Sequence, residues 1–128
     1  MAVLCGNDIV KVSRIKNSIE KIGETFIKRI YTDEEISYCE SRRMCKYQSY
    51  AVRFAAKEAV YKALSPKNDK DATWKDIEIS REENGKPKVN LKGYLGEYAK
   101  KIGIEDNKID ISLSHDDDFA IATAIIEY

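Results

Sequence analysis

The sequence predicts a single α+β domain that spans residues 1–128. In the first half of the chain, apolar residues recur at helical spacing, whereas the second half changes to the alternating pattern of strands. A hydrophobic share of 43% and a charged share of 34% are ordinary for a globular chain of 128 residues, which is long enough for one core. The chain contains no repeat, linker or low-complexity tract that would divide it.

A strand and a basic helix are predicted at the amino terminus. Residues 2–12 are almost wholly apolar, with an interruption at residues 6–8. Ser13 is expected to cap a helix, because apolar residues follow it at helical spacing until Gly23, a common helix terminator. These apolar residues are Ile15, Ile19 and Ile22.

Two further helices are predicted in the first half. Thr32 and Glu35 have the spacing of a capping box, which indicates a short helix that runs to about Glu40. The alanine-rich segment 46–64 predicts the longest helix, which ends at the Ser-Pro-Lys-Asn sequence of residues 65–68.

The second half predicts a hairpin, one more helix and two closing strands. A strand over residues 74–79 and its return over residues 88–91 flank a turn at residues 83–85. An amphipathic helix follows and ends at Gly103. The closing strands cover residues 109–113 and 119–126.

The charge pattern excludes some classes of function and favours others. With 22 basic and 22 acidic side chains, the chain is not expected to bind nucleic acid broadly. Residues 11–30 nevertheless carry six basic side chains against two acidic ones, and residues 41–62 carry six against one. Such clusters suit a phosphate-rich ligand or an acidic protein partner, although solvated helix faces give the same pattern.

The amino-terminal apolar run and the cysteines bear on the cellular compartment. The run is too short, and wrongly flanked, for a signal peptide or a membrane span, so we expect a cytoplasmic protein without membrane contact. The three cysteines contain no C-x-x-C pair, and we expect reduced packing residues rather than a zinc site.

The long helix carries three residues at a spacing of four, which are Phe54, Glu58 and Lys62. Residues four apart lie on one helix face, so Glu58 and Lys62 form either an ordinary surface ion pair or part of a site. The aromatic ring of Phe54 on the same face suggests that this face is partly buried.

Asp8 is unusual because it interrupts an apolar strand. It either caps a neighbouring backbone group or is held by a positive group. Gly6 is expected to leave room beside it for a ligand or a metal. Asp8 and Glu58 together would make an oxygen site with open positions, which suits Mg²⁺ shared with substrate phosphates, and Lys62 would neutralise developing negative charge.

Five segments, taken together, identify a family resemblance. They are G-N-D-I-V at 6–10, R-F-A-A-K-E-A-V-Y-K-A-L at 53–64, W-K-D-I-E at 74–78, N-G-K-P at 84–87 and I-S-L-S-H-D at 111–116. In this order and spacing they resemble the holo-[acyl-carrier-protein] synthases, the small trimeric type of the 4′-phosphopantetheinyl transferase superfamily. The resemblance covers almost the whole chain.

The resemblance implies a fold, a reaction and partners. The fold is an antiparallel sheet packed with a long central helix. The reaction transfers the 4′-phosphopantetheine group from coenzyme A to a serine of apo-acyl carrier protein, and it yields 3′,5′-ADP and a holo-carrier for fatty acid biosynthesis. The family forms homotrimers with active sites between subunits, and neither nucleic acid nor a membrane is involved.

The resemblance also implies roles for individual residues. Asp8 and Glu58 would be Mg²⁺ ligands and, with Lys62, the catalytic residues. Either Glu58 or a carboxylate-bound water would accept the serine proton. The coenzyme A nucleotide would be held by Arg53, Asn84, Gly85, Lys86, Pro87 and His115. The carrier protein would dock on Arg14, Lys21 and Lys28.

One departure from the family pattern and two other hypotheses remain. The family usually has a glycine-rich loop after its catalytic helix, whereas this chain has no glycine between Gly23 and Gly85, and Lys67 would supply a side-chain contact instead. A non-catalytic coenzyme A or carrier-protein binding module is one alternative. A small protein whose basic half docks an acidic partner is another. The retention of Asp8, Glu58 and Lys62 favours the enzyme.

Overall fold

The computed structural model describes residues 2–128 as five α-helices and five β-strands, which confirms the predicted α+β class. In chain order they are β1 (Val3–Lys11), α1 (Val12–Ile22), α2 (Glu24–Ile30), α3 (Asp33–Ser41), α4 (Lys46–Leu64), β2 (Ile77–Arg81), β3 (Pro87–Leu91), α5 (Gly93–Lys101), β4 (Ile109–His115) and β5 (Phe119–Glu127). Single 3₁₀ turns occur at Arg43–Cys45, Trp74–Asp76 and Asp106–Lys108.

The strands form two antiparallel sheets, and α4 is the central helix. One sheet has the order β1-β5-β4, and β2 pairs with β3 in a separate hairpin. Three of the four buried residues on the inward side of β5 are the alanines Ala120, Ala122 and Ala124, and the fourth is Ile126. Small side chains let a helix lie close to a sheet, so α4 packs directly on β1 and β5.

Gly6 is the point of closest approach between β1 and α4. A Cβ atom at this position would lie 2.8 Å from the backbone nitrogen of Ala63 and would also collide with the carbonyl oxygen of Ala59. The expectation that Gly6 leaves room for a ligand beside Asp8 is therefore wrong, because the helix backbone fills that space. The glycine instead lets the strand that carries Asp8 lie against α4.

The junction between β1 and α1 differs from the prediction. β1 is continuous through residues 6–8, and Ser13 lies inside α1 rather than at its cap, which is Lys11 and makes no side-chain hydrogen bond. The backbone N–H of Val12 donates instead to the carbonyl of Asp118 at 2.8 Å. The turn between β4 and β5 therefore fixes the start of α1, a long-range contact that local sequence does not encode.

Gly23 ends α1 as predicted, with φ 79°, a conformation that favours glycine. A second short helix, α2, begins immediately after it and was not predicted. Ile22 was expected on the apolar face, but it is 58% exposed because it lies at the end of the helix next to this break.

The other predicted helices are confirmed, with small changes at their ends. The capping box of α3 is present, since the Thr32 hydroxyl accepts from the Glu35 N–H and the Glu35 carboxylate accepts from the Thr32 N–H. The α4 helix has the predicted bounds. Trp74 was expected in β2 but lies in the preceding 3₁₀ turn, where its ring stacks on Phe54 with centroids 5.0 Å apart.

No helix within residues 2–128 combines the length and the apolar character that a bilayer crossing requires.

Candidate active site

Asp8 and Lys62 meet where β1 crosses the last turns of α4. Residues alternate along β1, and the even-numbered side, which carries Asp8, faces the helix. The Lys62 Nζ lies 3.0 Å from the Asp8 Oδ1 and 3.1 Å from the Asn7 carbonyl oxygen. The Asp8 side chain is 17% exposed, so Lys62 is the positive partner that an acid in an apolar strand requires.

Glu58 lies one helical turn before Lys62 and is half-buried. Burial and then the negative charge of Asp8 raise the pKa of Glu58, while the positive charges of Lys62 and Arg14 lower it by less. Asp8 and Glu58 thus lie close enough to interact electrostatically, and burial adds to their mutual repulsion in raising the pKa of Glu58.

A cavity of about 200 Å³ opens beside Glu58. Its walls are mostly apolar and come from α4, the Trp74 turn, β2 and α5. The lining residues are Lys57, Glu58, Tyr61, Asp69, Ala72, Thr73, Trp74, Ile77 and Leu95. Phe54 packs against the Trp74 ring at the edge of this wall, so the face that carries Phe54, Glu58 and Lys62 is partly buried, as predicted.

The side chains of two tyrosines form hydrogen bonds to the glycine-free segment that follows α4. The Tyr61 hydroxyl donates to the Asp69 carboxylate, and the Tyr94 hydroxyl donates to the carbonyl of Asn68. The bond to Asp69 is the main reason that the pKa of Tyr61 is raised, to about 12. Lys67 is exposed on this segment. Side-chain bonds therefore fix a loop whose sequence lacks glycine.

Lys57, the first lysine of the F-x-x-K-E pattern, is fully buried and faces away from the solvent. Its Nζ lies 2.8 Å from the Glu35 Oε1 and donates to the carbonyl oxygens of Trp74 at 3.1 Å and Ile77 at 2.5 Å. The second oxygen of Glu35 accepts from the Ile79 N–H at 2.7 Å. Lys57 thus joins α3, α4 and β2, and it holds the helix that presents Glu58.

A second group of predicted residues meets elsewhere on the molecule. Arg53, Pro87 and His115 line one cavity of about 480 Å³. Arg53 and Glu58 are five residues apart on α4, which places them about 140° apart around the helix axis. Within one chain, the residues predicted to hold the nucleotide and the residues predicted to be catalytic therefore lie on different sides of α4.

The hairpin turn between β2 and β3 is organised by its own side chains. The Asn84 Oδ1 accepts from the Lys86 N–H at 3.0 Å, and Gly85 has φ 88°. The Lys86 Nζ lies 3.3 Å from the Asp110 carboxylate. Of the four turn residues predicted to hold nucleotide, Pro87 is the one that lines the cavity with Arg53.

The basic candidates at the amino terminus lie on two helices rather than one. Arg14 and Lys21 are exposed on α1. Lys28 lies on α2, beyond the break at Gly23, and its Nζ is 3.6 Å from the Glu24 carboxylate. The break at Gly23 thus separates Lys28 from the two basic residues of α1, and Arg14 is close enough to Glu58 to affect its pKa.

Several residues that sequence reasoning did not select belong to these sites. Tyr38, Arg42 and Arg81 line the Arg53 cavity, and Tyr61 and Asp69 line the cavity beside Glu58. The sequence shows Arg42 and Arg81 as basic residues near the ends of α3 and β2, but nothing in their spacing indicated that the fold brings them together. Within residues 2–128, no group of three or more His, Cys, Asp or Glu side chains has the geometry of a metal site, so the cation candidate consists of Asp8 and Glu58 alone.

Residues 4–124 match the family model for the 4′-phosphopantetheinyl transferase superfamily. The holo-[acyl-carrier-protein] synthase of Ruminiclostridium cellulolyticum is 47% identical over 126 residues, which cover 98% of this chain and 92% of the relative.

Solved structures of the same family have a similar fold. The holo-[acyl-carrier-protein] synthase from Neisseria meningitidis superposes with a TM-score of 0.85 at 30% identity, covering 98% of each chain. The Helicobacter pylori protein, solved in complex with coenzyme A, gives a TM-score of 0.82 at 31% identity, with 97% of this chain and 100% of that chain covered.

Proposed function

The chain belongs to the holo-[acyl-carrier-protein] synthase family of the 4′-phosphopantetheinyl transferase superfamily, and we propose that it transfers the 4′-phosphopantetheine group of coenzyme A to a serine of an apo-acyl carrier protein. The products are the holo-carrier and 3′,5′-ADP. The observation that carries this proposal is the convergence of Asp8, Glu58 and Lys62 beside a cavity, in a chain of this family. We further propose that the protein works in the cytoplasm, as one domain, in fatty acid biosynthesis.

Mg²⁺ fits the donor set formed by Asp8 and Glu58. Mg²⁺ is commonly bound through one or two carboxylates plus substrate phosphates. Burial, and then the negative charge of Asp8, raise the pKa of Glu58, so the two carboxylates share a partly buried site. Asp8 and Glu58 would hold the metal, which would supply neutralisation of phosphate charge.

The chain's own residues position the reaction and balance its charge. The serine oxygen forms a bond to the β-phosphorus of the pyrophosphate, and the bond from that phosphorus to the bridging oxygen breaks, so that 3′,5′-ADP leaves with the electron pair. Lys62 is fixed by Asp8 and the Asn7 carbonyl, and it neutralises charge that develops on the phosphates. The serine proton passes to Glu58 or to a water bound to the carboxylates.

A second copy of the chain is needed to complete the coenzyme A site. The nucleotide candidates and the catalytic candidates lie on different sides of α4, so one ligand reaches both sets when they come from neighbouring subunits. The outward face of the β1-β5-β4 sheet carries several exposed apolar side chains, as interface surfaces do. Its members include Val3, Ile9, Ile121 and Ile125, which are between 44% and 63% exposed. We propose the homotrimer of the family, with this face at the subunit contact.

The acyl carrier protein is proposed to dock on α1. Arg14 and Lys21 are exposed there, and Arg14 lies near Glu58, so a carrier on this helix would bring its serine to the catalytic residues. Charge pairs of this type mainly steer encounter and set specificity. Lys28 extends the basic surface from the separate helix α2.

The proposal is tested by measuring 3′,5′-ADP release with apo-carrier protein, coenzyme A and Mg²⁺. Asp8→Asn and Glu58→Gln keep the size of each side chain but remove its charge, and each is expected to abolish release while the melting temperature stays near that of the wild type. Glu97→Gln, at an exposed ion pair on α5, is the matched control and should keep full activity. Full activity of either site variant at limiting Mg²⁺ would refute the assignment.

A further inference from the structure

Asp76 is a buried carboxylate that belongs to none of the candidate catalytic or binding groups. It ends the 3₁₀ turn before β2, and only 8% of the residue is exposed. Its carboxylate forms no ion pair within residues 2–128. It accepts hydrogen bonds instead, from the Thr73 N–H at 3.3 Å, the Thr73 hydroxyl at 3.0 Å and the Leu95 N–H at 3.3 Å. A buried charge requires such compensation, so Asp76 and these donors hold one another in place.

The Asp76 side chain caps α5, a helix from a later part of the chain. The residue before α5 is Lys92, whose side chain makes no capping bond, and the first turn of the helix contains no acidic residue. Asp76 therefore satisfies the N–H of Leu95, the third residue of α5, and its negative charge is also favourable at a helix N-terminus. The Asp76 carbonyl accepts from the Lys92 N–H at 2.7 Å, which adds a backbone bond to the same junction.

Gly93, the first residue of α5, lets the carboxylate approach the helix this closely. Its φ is 54°, and a Cβ atom at this position would lie 2.5 Å from the Asp76 Oδ1. A larger residue would have to displace the carboxylate from the helix. The glycine and the carboxylate thus form one contact between α5 and the turn before β2.

The two elements that Asp76 joins are two walls of the cavity beside Glu58. Thr73, Trp74 and Ile77 line this cavity on one side, and Leu95 lines it from α5, whereas Asp76 lies behind the wall. The residue before Leu95 is Tyr94, whose hydroxyl bonds the segment after α4. The position of α5 therefore affects a third part of the lining as well.

The pantetheine arm is the part of coenzyme A that this cavity suits. With the pyrophosphate at the catalytic residues and the nucleotide on the other side of α4, the arm is the part of the ligand that remains beside Glu58. The mostly apolar walls suit its methylene and methyl groups. Such contacts depend on close packing, so a displaced wall weakens binding.

We propose that Asp76 is a positioning residue, which fixes the distance between the Trp74 turn and α5 and so shapes the cavity for the pantetheine arm. Asp76 contacts neither the ligand nor the reacting atoms, and it acts through the residues that it holds. This inference rests on the proposed function, because it assumes that coenzyme A is the ligand.

The test compares the binding of coenzyme A with that of 3′,5′-ADP, which lacks the arm, by isothermal titration calorimetry on the assembled protein with Mg²⁺. Asp76→Ala should lower the affinity for coenzyme A by about tenfold and leave that for 3′,5′-ADP unchanged. Asp76→Asn keeps one acceptor oxygen and should lose less. Gly93→Ala keeps the carboxylate but displaces it, so it should cause the same selective loss.

Tyr50→Phe is the control for a loss of stability alone. It removes the buried hydrogen bond from the Tyr50 hydroxyl to the Glu40 carboxylate, and neither residue lines the cavity beside Glu58. This variant should leave the ratio of the two affinities at its wild-type value even where the Tm falls.

Three results would overturn the inference. They are an unchanged affinity for coenzyme A in Asp76→Ala, an equal loss for both ligands in that variant, and the same selective loss in Tyr50→Phe. If Asp76→Ala fails to fold, Gly93→Ala decides, since an unchanged affinity for coenzyme A there refutes the positioning role. A wild type that binds neither ligand would instead refute the proposed function.

Discussion

Replacement of Lys57 by methionine tests whether the first lysine of the F-x-x-K-E pattern is structural rather than catalytic. Methionine fills a similar volume but removes the ammonium group, which lies 2.8 Å from the Glu35 carboxylate in a site with no solvent exposure on either side chain. The variant leaves Glu35 buried with two backbone donors, the N–H groups of Thr32 and Ile79, and removes the donor to the carbonyls of Trp74 and Ile77.

The expected cost follows from this geometry. Removing one partner of a buried ion pair destabilises a protein by about 3–5 kcal/mol, because the other charge remains buried without compensation. For a chain of 128 residues, the entropy of unfolding is roughly 0.27 kcal/mol per degree, so a loss of about 4 kcal/mol lowers the Tm by about 15 °C. Adding Glu35→Gln to Lys57→Met should restore part of this loss, since it removes the uncompensated charge.

The assay is thermal unfolding followed by circular dichroism at one protein concentration, because assembly makes the Tm depend on concentration. Lys100→Met is the matched control, since its ion pair with Glu97 is exposed, and it should change the stability by less than about 0.5 kcal/mol. If Lys57→Met shifts the Tm no more than Lys100→Met, the structural role is refuted. If it instead abolishes transfer well below its Tm, Lys57 acts in the chemistry.

The remaining predictions concern strand packing, pH and the carrier protein. Gly6→Ala should destabilise the fold by about 1–3 kcal/mol in chemical denaturation, because the added methyl group meets the α4 backbone; an unchanged midpoint would show that β1 can move. Because the pKa of Glu58 is raised, the acid limb of the pH profile of kcat/KM should lie at a pH above the ordinary pKa range of a glutamate. Metal and proton compete for the carboxylate, so a higher Mg²⁺ concentration should move this limb to lower pH. An acid limb that does not depend on Mg²⁺ would contradict this prediction. Lys21→Glu should raise the KM for the carrier protein several-fold and leave the KM for coenzyme A unchanged, and added salt should have the same selective effect. Equal effects on the KM values of both substrates would exclude α1 as the docking surface.

Sequence predicted those elements whose signals are local. The capping box at Thr32 and Glu35 predicted the start of α3. The alanine-rich composition predicted α4, and the Ser-Pro-Lys-Asn sequence of residues 65–68 predicted its end. The local signal for a helix cap at Ser13 was equally plausible, but this prediction was wrong. A hydrogen bond from the backbone N–H of Val12 to the carbonyl of Asp118, in the turn between β4 and β5, takes the place of the cap. Helix α2 was not among the predicted elements, because Gly23 predicts where α1 ends and carries no signal that a new helix begins directly after it.

The residues of the candidate site were proposed from the sequence, whereas their arrangement was not predictable from it. The positions of Asp8 and Glu58 were notable because each acid lay on a partly apolar element. Gly6 was selected correctly and explained wrongly, since the need for a glycine comes from a helix that packs across the strand. The separation of Arg53 from Glu58 around α4, and the meeting of Arg53 with Tyr38 and Arg81, depend on packing between distant segments, which local patterns do not specify.

Intact-mass spectrometry of an apo-acyl carrier protein, incubated with this protein, coenzyme A and Mg²⁺, is the most direct test of the proposed transfer. The carrier is expected to gain the mass of one 4′-phosphopantetheine group at its acceptor serine. Mg²⁺ and Glu58 should both be required, and a carrier with alanine at the acceptor serine should be unchanged. A carrier that keeps its original mass, in the presence of folded protein that binds coenzyme A, would contradict the claim and leave a binding module in its place.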